Sequence, residues 1–118
     1  MMDNQKIISD RVRNSKKYKA IRQSLIDQLK ANGSDNAHFL DLVEDYMNFW
    51  VIKYMTSIDI RTRGPIIVYN NGGGQTGTKE NPSVANQIKI NNQMLKLLAQ
   101  LNLSVDNAGA GGDEFDGL

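Results

Sequence analysis

The chain contains no cysteine, which excludes a disulfide framework and any thiolate metal site. It holds one histidine, His38, so the paired imidazoles of common zinc sites are missing too. No run reaches the roughly 18 consecutive apolar residues that a bilayer span requires. The polar N-terminal stretch lacks the apolar core of a secretory signal. The expectation is a soluble protein that works inside a cell, without a membrane partner. Its 118 residues suffice for one domain with a modest core, not for two.

Charge of one sign is also nearly absent overall, with a formal net charge of +1, but it is unevenly placed. Residues 1–30 carry eight basic side chains (Lys6, Arg11, Arg13, Lys16, Lys17, Lys19, Arg22, Lys30) against Asp3, Asp10 and Asp27. Residues 31–60 reverse the sign, with Lys53 against Asp35, Asp41, Glu44, Asp45 and Asp59. Residues 61–103 turn basic again, and residues 104–118 carry only Asp106, Asp113, Glu114 and Asp116. A basic head and an acidic tail suit two different partners.

Periodicity divides the chain. Residues 1–14 show no sustained pattern and read as a flexible N-terminal arm. From Ser15, Tyr18, Ile21, Leu25 and Leu29 fall on one helical face, and Gly33 stops that helix. Ser34 or Asp35 is placed to cap a second helix, running from about Asn36 to about Thr62. Its first half has one stripe: Phe39, Val43, Tyr46, Met47 and Trp50. Then Phe49, Trp50, Val51 and Ile52 are consecutive, so this half is apolar all round and must be covered on more than one side.

Gly64-Pro65 ends the long helix. Ile66-Ile67-Val68-Tyr69 has the β-branched character of a strand, Asn70-Asn71-Gly72-Gly73-Gly74 tolerates positive φ, and Gln75 to Lys79 can return, giving a short β-hairpin over 65–79. An isolated hairpin is marginal in water, so it should lie on a helix or pair with a neighbouring subunit. Asn81-Pro82 opens the last helix with a cap and an N1 proline. At ~100° per residue this helix shows two apolar stripes, one of Val84, Ile88, Leu95, Leu98 and Ala99, the other of Ile90, Met94, Leu97 and Leu101. One suffices to pack on the long helix; the other needs a further partner, the first helix or another copy of the protein. Asn102 follows as a left-handed cap. Residues 104–118, glycine-rich and acidic, are expected to be a disordered tail, with Phe115 and Leu118 as a short partner-docking pair.

The glycine cluster is not a phosphate loop. Such a loop needs Gly-Lys-Ser/Thr entering a helix after a strand, whereas the order here is Gly77-Thr78-Lys79 with the helix starting at Asn81. Asp41, Glu44 and Asp45 share a face without further ligands, and Asp113 to Gly117 lacks the alternating ligands and closing Glu of a calcium loop. No nucleophile–base spacing is present. The reading is of a non-enzyme with no catalytic residue, no metal and no cofactor. Arg11, Arg13, Lys16, Lys17, Lys19 and Arg22 instead form a DNA-binding cluster, since phosphate contact needs only mobile cations that reach the backbone. The one aromatic there, Tyr18, belongs to the core stripe, which favours duplex contact over base stacking.

From His38 to Ser104 the chain has a long helix ending in Arg63-Gly64, a strand-and-glycine loop, Asn81-Pro82, a helix, and Leu101-Asn102-Leu103-Ser104. This ordered combination resembles the short small-subunit family of tailed-phage terminases, which commonly show an Asn-Pro helix start and a Leu-Gly-Leu-Ser/Thr-like close. Asn102 stands where that family usually has glycine, and the Pro and Arg that often follow are replaced by the acidic tail. The resemblance implies a mainly α, ring-forming homo-oligomer in the host cytoplasm during phage infection. Such a subunit engages double-stranded viral DNA and regulates a terminase large subunit that holds the ATPase and nuclease. The expected architecture is a flexible arm over 1–14, a helical oligomerisation domain over 15–103 and a tail over 104–118. Within that domain a basic helix precedes a long antiparallel helical hairpin whose connection holds the β-hairpin. The oligomer interface is expected at Phe49, Trp50, Ile52, Met55, Ile90, Met94, Leu97 and Leu101. The alternative is a structural or regulatory helical oligomer of phage head assembly without DNA contact.

Overall fold

The computed structural model describes residues 2–103; the acidic tail, with Phe115 and Leu118, lies outside them. The described chain is mainly helical and elongated, 62 × 27 × 25 Å. Its elements are α1 (Met2–Arg13), α2 (Lys16–Ala31), α3 (Ala37–Arg63), β1 (Ile66–Gly72), β2 (Gln75–Glu80) and α4 (Pro82–Gln100).

The helices α3 and α4 form the antiparallel hairpin around which the rest is arranged. Their seam is polar near the connection and apolar beyond it. Ser83 Oγ donates to Asp59 Oδ2 at 2.6 Å, Gln87 Nε2 to Ser57 Oγ at 2.6 Å, and Lys53 Nζ to Asn91 Oδ1 at 3.0 Å. The partners descend α3 as they ascend α4, which fixes the antiparallel register. Past this ladder Val43, Met47, Trp50 and Val51 share one core with Ile90, Met94, Leu98 and Leu101. At about 1.5–3 kcal/mol for each fully buried large aliphatic side chain, this apolar half supplies most of the pairing energy.

The helix α2 closes the core from the other side of α3 through Tyr18, Leu25 and Leu29. Tyr18 meets Trp50 edge-on with ring centroids 5.9 Å apart, the geometry that the aromatic quadrupoles favour. Ser15 caps α2, accepting from the Tyr18 N–H at 3.1 Å. The chain turns back at Gly33, where the Ser34 N–H reaches the Leu29 carbonyl at 2.8 Å.

Three expectations are corrected. Residues 2–13, expected within a flexible arm, form the helix α1. It is held by Val12, which is buried, and Ile8, half-buried against the core. Asn36, not Ser34 or Asp35, occupies the cap position of α3, and its side chain makes no capping bond. The third correction concerns α4. The stripe expected to meet the first helix or another copy faces the chain's own core: Ile90, Met94 and Leu101 are buried there, Leu97 is half-buried against it, and Trp50 joins them from α3. The other stripe is split: Leu98 is buried in the same core, whereas Ile88 and Leu95 are 60% and 48% exposed.

The strands pair antiparallel with Ile66 opposite Glu80, Ile67 opposite Lys79 and Tyr69 opposite Gly77. Gly73 and Gly74 form the two-residue tip with φ of 59° and 80°, the consecutive positive values that a twist-matched tight turn demands. Gly77 is needed for a different reason: a Cβ there would stand 2.9 Å from the Tyr69 hydroxyl. The tyrosine ring therefore lies over the glycine, with Lys79 Nζ 5.5 Å from its centroid. The hairpin does not lie on a helix. Every residue of both strands is exposed or only partly covered, and Val68 is 72% exposed. Asn102 adopts φ 57° as a left-handed cap, and the Leu103 N–H reaches back to the Leu98 carbonyl at 2.8 Å. Leu103 is buried by this reversal, the apolar contact that accompanies such helix ends.

Met94→Ala is expected to destabilise the chain by about 2–5 kcal/mol, the range for truncating a buried methionine. Ile88→Ala should stay within about 0.5 kcal/mol, as for a surface position. Urea unfolding of both variants checks the orientation of α4, because a reversed order would mean that its other stripe faces the core.

Candidate nucleic-acid interface and association surfaces

The six predicted DNA-contacting residues all lie on α1 and α2, but they are not equivalent. Arg11, Lys16 and Lys19 are exposed around the corner where the two helices meet. Arg13 is exposed too, yet Nη1 donates to Asn48 Oδ1 on α3 at 3.0 Å. Arg22 is half-buried and its Nε donates to Glu44 Oε1 at 2.6 Å. Those two arginines tie α1 and α2 onto α3. Lys17 is half-buried on a different side of α2 from Lys16 and Lys19. The cluster seen in the sequence thus resolves into three outward cations and a set of residues that also serve helix docking.

The alternative basic pair beside the loop resolves similarly. Arg61 is exposed. Arg63 grips Asp59 with two bonds, Nε to Oδ1 at 2.6 Å and Nη2 to Oδ2 at 2.8 Å. Its Nη2 also reaches Asn81 Oδ1 at 3.2 Å. Asn81 has no exposed surface, and all its polar groups find partners. Nδ2 donates to the Gly64 carbonyl at 3.0 Å, Oδ1 accepts from the Ser83 N–H at 3.0 Å, and the backbone N–H donates to the Pro65 carbonyl at 2.7 Å. The Arg63 guanidinium, then the Ser83 hydroxyl, hold the Asp59 carboxyl well below the usual carboxylate range. This clasp fixes the base of the β-hairpin. Sequence reasoning finds Asn81 as a helix cap but not its second bond to the end of α3. The i,i+4 pair Asp59–Arg63 is the available signal.

The acidic residues of α3 do not gather as ligands. Glu44 is engaged by Arg22, and His38 lies against the Phe39 ring with centroids 4.4 Å apart. Among the described residues no group of three or more His, Asp or Glu side chains is placed to hold a metal ion. No described helix is long and apolar enough to cross a membrane.

Of the eight predicted interface residues, Phe49 and Met55 are half-buried against the chain's own core and Ile52 is 44% exposed. Ile66 and Val68 add a second apolar patch, on one face of β1. In the sequence these two register only as strand formers.

Lowering the pH tests the clasp. The Asp59 carboxyl is depressed in the folded chain, so its contribution is present above the unfolded value of about 3.9 and fades as pH falls below it. Asp59→Asn should therefore lower stability at neutral pH, and the gap to the parent should narrow below about pH 4. Asn81→Ala should cost on the order of 1–3 kcal/mol at either pH, the range for orphaning a buried partner. A gap that stays constant down to pH 2 would show that the Asp59 charge does not hold this corner.

Comparison with known proteins gives a match to the family described as phage terminase, small subunit, over residues 19–108. No curated protein and no solved structure matches the chain.

Proposed function

The chain belongs to the phage terminase small-subunit family, and from that premise we propose that it is a non-catalytic, ring-forming adaptor of DNA packaging. It engages double-stranded viral DNA through Arg11, Lys16 and Lys19, and it regulates the large subunit that holds the ATPase and nuclease. Its place of action is the cytoplasm of the infected host. The observation that carries the DNA clause is the exposure of these three cations at one corner of the molecule. Mobile, outward cations serve phosphate contact, which supplies sequence-independent affinity. Arg13 and Arg22 contribute less, because each would have to leave Asn48 or Glu44 to reach a phosphate.

Association between copies falls to the partly exposed Phe49–Met55 stretch of α3 and to the hairpin. Phe49, Ile52 and Met55 provide the first surface, Ile66 and Val68 the second. A free two-stranded hairpin with so exposed an apolar face gains stability when a neighbour covers it. The alternative, a helical head-assembly oligomer without DNA contact, shares these surfaces and differs only in the role of the basic corner.

Replacing Arg11, Lys16 and Lys19 together by Gln should weaken binding to duplexes of any sequence. The slope of log K against log salt should flatten by about 0.9 for every phosphate that is no longer neutralised. Arg22→Gln should move the slope less. Titration of a labelled duplex over a salt series measures both, with sedimentation reporting the assembly state. Assemblies that remain intact with no measurable duplex affinity at low salt would select the alternative.

A further inference from the structure

The outward face of α4 combines two features found together nowhere else among the described residues. It exposes two large aliphatic side chains, Ile88 and Leu95. It also carries only basic charge: Lys89 and Lys96 are exposed beside them, and no acidic residue occurs between Pro82 and Gln100. The other exposed apolar patches differ: among the described residues Ile7 stands alone on α1, with Asp10 one turn on. Ile52 sits on α3 among Asp45, Asp59 and Asn48, and on the hairpin Ile66 faces Glu80. Helix α2 is basic but exposes no large aliphatic side chain.

We infer that this face is a docking site for the chain's own C-terminal segment, with Phe115 and Leu118 covering Ile88 and Leu95 and the acidic side chains lying against Lys89 and Lys96. The segment has the complementary chemistry: Asp106, Asp113, Glu114 and Asp116 without a single Lys or Arg. The spacings agree. Seven helical residues separate Ile88 from Leu95 by about 10 Å, and a three-residue step such as Phe115 to Leu118 can reach about 10 Å. The tether is long enough. Twelve residues from Leu103 to Phe115 span up to roughly 40 Å, while Ile88 lies about 22 Å back along the helix axis from Leu103. The chain reversal at Asn102 already turns it back from the end of α4. Tethering at this length gives an effective concentration in the millimolar range, so a weak contact suffices. A partner of the same chemistry, acidic with an aromatic anchor, would compete for the same face.

Zero-length carbodiimide coupling of the full chain, which joins carboxylates to lysines in contact, tests this directly. At low salt, peptide mapping should find Asp113, Glu114 or Asp116 joined to Lys89 or Lys96 within one chain. In Ile88→Ser/Leu95→Ser the yield should fall several-fold with helix content unchanged. A synthetic peptide of residues 104–118 should bind the Phe115→Ser/Leu118→Ser chain on the order of tenfold more tightly than the parent, whose own tail competes. Three results would overturn the inference: links confined to Lys16, Lys19 or Lys30, links only between differently isotope-labelled chains, or undiminished links in the serine variant.

Discussion

Asn81 is buried completely, and its side-chain amide binds the end of one helix while capping the start of the next. Nδ2 holds the Gly64 carbonyl as Oδ1 receives the Ser83 N–H. Asp59 and Arg63 lock the same corner from α3. An amide buried in this way is costly unless every group is paired, and the pairing here has one solution. That solution sets the rotation of α4 against α3. With Ser83, Gln87 and Asn91 turned toward α3, the helical repeat carries Ile90, Met94, Leu98 and Leu101 to the same side. Ile88 and Leu95 are carried roughly 100° further round the helix, to its exposed flank. The partition of α4 into a core stripe and a free stripe follows from the polar corner, although the apolar half supplies most of the energy.

This explains what was legible in the sequence and what was not. The long helices, the hairpin, the Asn81-Pro82 start and the Asn102 cap all rest on local signals, and each stands where those signals put it. The two stripes of α4 are equally apolar, so periodicity could not choose between them. The choice depends on a hydrogen bond to Gly64, seventeen residues away. The helix α1 escapes a reading by periodicity because its inward face consists of little more than Ile8 and Val12, one i,i+4 pair in a polar segment. Its docking relies on Arg13 reaching Asn48, a contact with no sequence signature. The basic cluster was visible as composition, but composition could not separate Arg22, taken up by Glu44, from Lys16 and Lys19.

The arrangement suits the proposed adaptor role. Its single compact seam leaves Arg11, Lys16 and Lys19, the exposed Ile52 of α3, the hairpin and Ile88 and Leu95 of α4 uncovered, so the proposed contacts to nucleic acid and to protein need not compete for the same residues. The hairpin, uncovered by any helix, is the least stabilised part of the described chain. It is therefore the element whose order should depend most on a neighbour.

Native-state hydrogen exchange, followed residue by residue at several protein concentrations, tests the central claim that the α3–α4 seam is closed within one chain. Amides of Val43–Val51 and Ile90–Leu98 are predicted to share the slowest, global opening, with a free energy that does not vanish on dilution to a monomer. Amides of Ile66–Glu80 should exchange much faster and gain protection only as copies associate. Loss of protection at Ile90, Met94 and Leu98 on dilution would contradict the claim, because these residues would then be covered by another subunit.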